Sequence, residues 1–411
     1  MSFSGAPDID LKTAIFFVVF LATSLNVCVS AEIIGDRIKP FVSAKTYYDS
    51  NLFRVKDKEY LKALSGDDRM SETINQLSLG ASFNYKWSRQ EMEAFIKKDI
   101  LRYKHYKDQN ANQDEVSLKL KLNFLDKVKA TASETYQRSL VLKKDFTSNQ
   151  KNEQISEVKE VSVGYDLPSG FAIRALVRSE RKDFSLQALE SKEYTNNTYS
   201  GVLSYSPSPD STFFTSYHIN EIDYDKKQAV GGRFVGNDST GEMFKLGYNG
   251  KLGGKTVVSL SGGHSGRRYE EFGSRNFAGI IGKAQLAHQL TGKVALSAVA
   301  ERWLQEEIFL DQLYSVDESF GLTATYKPSA KIETYLSGSA TQKSFRGDSH
   351  LALTVFQQRS DRLNDLAAGM GWNPVRHFSL DMAYRFSERD SNYDQYKYKS
   401  HGLEFGASYK Y

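Results

Sequence analysis

Cysteine is almost missing from this 411-residue chain, with Cys28 the only one. That excludes disulfides and cysteine metal sites from everything after it. Proline is scarce too, with 7 residues, and most of them sit in short turn signals. Beyond the N-terminus no stretch reaches the roughly 18 to 20 consecutive apolar residues that a spanning helix needs, so a helical membrane bundle is excluded. A block of one charge sign is lacking as well. The 54 basic and 50 acidic residues are scattered and leave a formal charge of +4, so no nucleic-acid surface is expected.

What the chain does have is 40% hydrophobic and 13% aromatic residues, too apolar and aromatic for disorder. The N-terminus carries Lys12, the apolar run Ile15 to Leu25, and the small-x-small pattern Val29-Ser30-Ala31. Residues 1–31 therefore read as a signal peptide and the protein as exported. Val27 is not the small residue a lipoprotein needs before Cys28, so Cys28 is expected to leave with the leader.

From residue 36 to 411 one texture persists, read as a single domain. Apolar and polar residues alternate with period two, which places one set on each face of a strand. Leu77, Leu79, Ala81, Phe83, Tyr85 and Trp87 alternate with Ser78, Gly80, Ser82, Asn84 and Lys86. Val116 to Phe124, Phe378 to Ser387 and Leu403 to Tyr411 behave in the same way. Tight turn signals recur about 40 residues apart, at Ser88, Asp126, Pro168-Ser169-Gly170, Pro207 to Asp210, Gly250 to Gly254, Thr291-Gly292, Pro328-Ser329 and Pro374. The other connections are longer and more polar, as in Ser50 to Ser71, Thr147 to Glu153, Asp225 to Asp238 and Ser344 to Ser349.

Short turns on one side and long loops on the other are the pattern of an outer-membrane barrel with its turns in the periplasm. Eight short-turn hairpins give sixteen strands, and one strand at each terminus makes eighteen. The expected fold is all-β, a single transmembrane antiparallel up-and-down barrel of about 18 strands. Aromatics at strand ends suit interfacial girdles, and Tyr409 and Tyr411 suit the C-terminal signature read by outer-membrane assembly machinery. A soluble all-β fold also alternates, but it does not need strands this long.

The opening strand continues through Tyr47-Tyr48-Asp49-Ser50-Asn51-Leu52-Phe53-Arg54. This segment resembles the first strand of the EpsL-type exopolysaccharide-operon outer-membrane proteins, a β-barrel porin family, except that Ser50 stands where a second Asp is expected. The resemblance implies a role in exopolysaccharide biosynthesis or export, with a polysaccharide, anionic or neutral, as ligand and periplasmic synthesis or export proteins as partners beside the membrane lipid. It also places Asp49, Asn51 and Arg54 at a pore mouth, where Arg54 would meet a sugar or phosphate. The alternative for these three is to close a strand and cap a loop.

If the apolar set faces lipid, the lumen is lined by Lys97, Lys119, Lys121, Lys129, Arg174, Arg178, Lys245, Arg267, Lys283, Lys343, Arg385 and Lys410, with Glu93, Asp99, Glu160, Asp166, Glu301, Glu333, Asp381 and Glu404 among the acids. A modestly basic lumen would suit an anionic polymer; the alternative is a solvated wall of cross-strand ion pairs. Phe214 and Tyr335 fall on the same face, as sugar-stacking platforms or as strand packing. The loops Ser50 to Ser71 and Leu351 to Gln358 are the candidate constrictions.

Catalysis is not expected. His377, Ser379 and Asp381 share a strand face, but neighbours two apart lie roughly 6 to 7 Å from one another, too far for a nucleophile and its base. Gly262-Gly263-His264-Ser265-Gly266 lacks the strand-turn-helix setting of a nucleophile elbow. The seven histidines show no ligand spacing, so neither metal nor cofactor is expected. The leading function is a passive polysaccharide channel. The alternatives are a non-conducting scaffold for a synthesis complex, a general diffusion porin, and an outer-membrane enzyme.

Overall fold

In the computed structural model, residues 37–124, 126–141, 143, 150–230, 233–271, 273–307, 313–346 and 358–410 are described. The expected signal peptide lies outside them. Among the described residues no helix is long and apolar enough to cross a membrane; the strands do so instead.

Ten strands make the first half of the order: β1 (Ile38–Asp49), β2 (Glu72–Trp87), β3 (Gln90–Tyr103), β4 (Ala111–Phe124), β5 (Val128–Leu140), β6 (Glu153–Asp166), β7 (Phe171–Phe184), β8 (Tyr194–Ser208), β9 (Ser211–Tyr224) and β10 (Gln228–Val230). The second half is β11 (Arg233–Val235), β12 (Ser239–Leu252), β13 (Thr256–Tyr269), β14 (Phe277–Gln289), β15 (Val294–Glu306), β16 (Tyr314–Ser329), β17 (Ile332–Arg346), β18 (Ser360–Val375), β19 (Phe378–Ser391) and β20 (Tyr398–Lys410). β10 and β11 form a small separate hairpin within one loop, and β9 pairs directly with β12. The other eighteen strands are joined in antiparallel order, and β1 pairs with both β2 and β20, which closes the sheet. Closure leaves no edge strand, the condition for a sheet to live in hydrocarbon. The eighteen strands counted from the turns are the eighteen observed.

The turn chemistry explains the short connections. Ser88, Asp126, Ser169 and His377 adopt left-handed backbone at φ 54, 61, 64 and 69°, and Gly253 and Gly254 do so at 61 and 72°. Three ladders slip register near the turns, between Tyr205 and Ser208, Tyr326 and Ser329, and Trp372 and Val375. Pro207, Pro328 and Pro374 stand inside those slips, where a residue without an N–H interrupts no ladder bond.

Leu77, Leu79, Val161, Val163, Ile173, Leu203, Leu246, Leu322 and Leu366 are exposed and share one face under the cross-strand register, which is the lipid face. Toward the short turns that face carries Trp87, Phe124, Tyr165, Phe171, Tyr205, Phe213, Tyr248 and Tyr326. Neighbouring rings touch, with centroids 4.6 Å apart for Phe171–Tyr205 and 5.0 Å for Phe213–Tyr248. This is the aromatic girdle expected at the periplasmic interface.

One seam departs from the regular wall. β14 and β15 pair only from Gly282↔Arg302 to Gln289↔Ala295, and Phe277–Ile281 and Trp303–Glu306 share no ladder. Leu304, Tyr314 and Val316 belong to the outer face by alternation, yet they pack in one buried cluster with Tyr269 and Phe277 from the inner face of β13 and β14. The extracellular ends of β15 and β16 therefore lap inside those of β13 and β14.

Candidate functional site: the lumen and its mouth

The lumen face is the other half of the alternation. Lys97, Lys119, Lys121, Lys129, Arg174, Arg178, Lys245, Arg267, Lys283, Lys343, Arg385 and Lys410 all fall on it by register. Most meet a carboxylate there. Lys97 contacts Asp99 at 3.1 Å and Glu115 at 3.4 Å, and Lys121 contacts Glu93 at 2.6 Å and Glu91 at 3.1 Å. Lys129 pairs with Asp166 at 2.5 Å, Arg178 with Glu180 at 2.9 Å, Lys283 with Glu301 at 2.9 Å and Arg385 with Glu404 at 3.0 Å.

Arg267 and Lys343 do not stand free in the channel. Arg267 is held by Glu306, and Lys343 by Glu307 at 2.7 Å and Asp317 at 3.5 Å, all of them largely buried. Lys119, Arg174 and Lys245 make no ion pair among the described residues, and neither does Lys410 at the periplasmic rim. The wall is thus charged but mostly self-neutralised, with a small basic remainder.

The charge is unevenly spread. Carboxylates and cations crowd β3 to β7, whereas the inner face of β13 to β20 is rich in small hydroxyl and amide side chains. Ser259, Gln285, Ser297, Thr323, Ser337 and Ser387 border a cavity of about 1080 Å³ in the lumen, with Tyr47 and Tyr103 on its β1–β3 side. Alternation alone puts these serines inward; the strong Lys and Arg signal drew attention away from them. Lys45, also overlooked, joins Glu404 at 2.9 Å and so completes a Lys45–Glu404–Arg385 cluster across β1, β20 and β19.

Phe214 and Tyr335 point inward but do not project. Each lies over a directly paired glycine of the next strand, Gly247 and Gly369. The bare Cα leaves room for a ring to lie flat along the wall.

At the extracellular mouth the β1–β2 loop folds inward. Its one helix, α1 (Lys58–Ser65), begins at Asp57, whose carboxylate accepts the Tyr60 N–H, and ends at Gly66 in left-handed backbone at φ 79°. Phe53, Val55 and Leu61 are buried and pack with Ile74 and Tyr103, inner-face residues of β2 and β3. Leu52 borders the cavity. The loop therefore narrows the mouth. Of the second candidate constriction, Leu351 to Gln358, only Gln358 is among the described residues, where its amide donates to the Phe345 carbonyl at 2.5 Å and accepts from Arg346 at 2.6 Å.

Asp49, Asn51 and Arg54 set the root of that loop. Arg54, at φ 55°, makes two 2.8 Å hydrogen bonds to the Asp49 carboxylate. Asp49 also accepts from the Asn51 N–H at 2.9 Å and Ser400 Oγ at 2.7 Å. Asn51 is buried; its amide donates to the Val55 and Lys399 carbonyls and accepts from the Val55 N–H. Asp49 and Arg54 border the cavity, whereas Asn51 lies behind it.

The remaining candidates are dispersed. His377 Nδ1 contacts the Lys410 carbonyl at 2.7 Å and Ser379 contacts Ser408 at 2.6 Å, so no triad forms with Asp381. Gly262 to Gly266 lie inside β13 with no turn. Asp183, Glu193 and Asp225 bring carboxylates within 4.8 Å of one another, but Arg181 already bridges Asp183 and Asp225 at 3.0 and 3.2 Å.

A closed eighteen-stranded wall with a lipid face, an aromatic girdle and a polar lumen defines an outer-membrane β-barrel. Residues 37–411 match the family described as "Putative beta-barrel porin 2", and the chain belongs to that family. No curated protein matches it. Among solved structures it is similar to the outer membrane protein OpdK from Pseudomonas aeruginosa (8% identity, 92% of this chain and 100% of that one, TM-score 0.49). OpdO from the same organism is similar at 10% identity, covering 92% and 97%, TM-score 0.47. The ferric enterobactin receptor PfeA of P. aeruginosa is similar at 8% identity, covering 91% and 80%, TM-score 0.47.

Proposed function

We propose that the protein is a passive outer-membrane channel for carbohydrate, with an exopolysaccharide as its cargo. The observation that carries this reading is the cavity wall: hydroxyl and amide groups on one side, from Ser259 round to Ser387, and the tyrosines Tyr47 and Tyr103 on the other. Hydroxyls exchange hydrogen bonds with a sliding sugar at little net cost, because each lost water contact is replaced. Tyrosine rings offer flat apolar faces to the C–H side of a pyranose. The opening-strand resemblance at Tyr47 to Arg54 supports a polymeric cargo, and the basic remainder of Lys119, Arg174 and Lys245 favours a neutral or anionic one.

No covalent step is assigned to any residue. Planar-bilayer recording of the refolded protein tests the reading. Open-channel current, with transient blocks on adding a neutral or acidic oligosaccharide, is the expected result; a sealed barrel would support a scaffold instead. In cells, deletion should stop polymer secretion while cytoplasmic synthesis continues.

A further inference from the structure

The lapped seam between β14 and β15 has a second consequence on the outside of the barrel. Just on the periplasmic side of the point where the two strands part, a groove of about 1030 Å³ lies on the lipid face, lined by residues 280–284 of β14 and 300–302 of β15. Its floor is made of small residues, Gly262, Gly282, Ala284 and Ala300, and its sides of Ile280 and Phe320, with Ile280 70% exposed. At its extracellular end stand Arg302 and Arg362. Among the described residues Arg302 has only the half-exposed Glu318 at 3.1 Å, and Arg362 makes no ion pair.

Two features here need one kind of occupant. A concave apolar lane is filled well by a hydrocarbon chain and poorly by a flat bilayer. Guanidinium groups at the membrane rim recognise phosphate by forked hydrogen bonds. We propose that this groove binds one phosphorylated glycolipid of the extracellular leaflet, an acyl chain lying along Gly282 and Ala300 and its phosphate on Arg302 and Arg362. The site is independent of the carbohydrate reading, since it lies on the opposite face of the wall.

The test is native mass spectrometry of the folded full-length chain titrated with lipid A, phosphatidylglycerol and phosphatidylcholine. The variants are Arg302→Gln with Arg362→Gln, and Ala300→Phe to fill the groove. Heat-modifiable gel migration verifies that each variant is folded. The wild type should hold one lipid A more tightly than either phospholipid, and the arginine variant should lose about ten-fold in affinity, the scale of one charge-assisted hydrogen bond. Ala300→Phe should lower lipid A binding with the arginines intact. Equal binding by wild type and both folded variants would overturn the site. Phosphatidylglycerol held as tightly as lipid A would overturn the assignment to the outer-leaflet lipid.

Discussion

The ring of Phe214 occupies the space above Gly247: a Cβ on that glycine would stand 2.1 Å from Phe214 Cζ. The two are direct partners in the β9–β12 ladder. Phe41 over Gly80 and Tyr335 over Gly369 repeat the arrangement, with a Cβ at 2.5 and 2.4 Å from the ring. Each pair keeps a large ring parallel to the wall, so the lumen stays wide although aromatics line it. Gly247→Ala should force the Phe214 ring off the wall and into the channel. The expected outcome is a loss of about 1 to 3 kcal/mol in unfolding free energy from denaturant titration, typical of overpacking, together with a lower single-channel current. A variant with wild-type values for both would refute the account.

The mouth loop is held by its own small core rather than by the ladder. Phe53 is buried, meets Tyr106 edge-on at 4.8 Å, and packs beside Leu61 and Val55. Phe53→Ala should cost the loop about 3 to 5 kcal/mol while leaving the eighteen strands paired. The loop would then swing out, trypsin would cut more readily at Lys58 and Lys62, and open-channel current would rise. Heat-modifiable migration should not change. Unaltered cleavage would show that something other than this core holds the loop.

The barrel was readable because its physics is repetitive. Alternation fixes the face of every residue, and turn spacing counts the strands. The inward direction of Lys97 or Arg178 follows from those two signals without any knowledge of neighbours. The pairing of Lys97 with Glu115 does not, because it depends on the stagger between β3 and β4. The same limit hid the lapped seam. Leu304, Tyr314 and Val316 alternate as lipid-facing residues, and only the parting of β14 from β15 turns them into core. Asn51 was open for another reason: a polar residue beside an expected mouth fits a ligand contact or a loop cap, and only the folded loop shows its amide spent on the Val55 and Lys399 carbonyls.

At the extracellular end Glu193 is buried and accepts the Phe184 N–H at 3.0 Å. Burial first, then the nearby charges of Asp183, Asp225 and Glu190, raise its carboxyl above the ordinary range. A carboxyl whose folded pKa is raised binds its proton more tightly when folded. Its contribution is therefore intact below the ordinary glutamate pKa and is lost as pH rises through the raised folded value. Glu193→Gln should be nearly neutral below the ordinary glutamate pKa of about 4.3 and increasingly stabilising as pH rises above it. Thermal midpoints of both proteins across that range measure the difference. A constant difference would mean that Glu193 titrates normally.

Charge selectivity separates the paired wall from its basic remainder. Lys97 and Lys121 each face carboxylates within about 3 Å, so removing one of them uncovers a negative charge as well as deleting a positive one. Lys119, Arg174 and Lys245 have no such partner among the described residues, and their removal deletes positive potential alone. Substituting these three by Gln should shift the reversal potential under a KCl gradient toward cations. The Debye length is about 10 Å at 0.1 M salt and about 3 Å at 1 M, so the shift should be large in dilute KCl and nearly vanish at 1 M. Arg385→Gln should act differently, since Lys45 still holds Glu404 at 2.9 Å. Its effect on selectivity should be smaller than that of the three together, with the remaining Lys45–Glu404 pair keeping that stretch of wall close to neutral. If the triple variant retains wild-type selectivity in dilute salt, the three lysine and arginine side chains do not set the potential of the lumen.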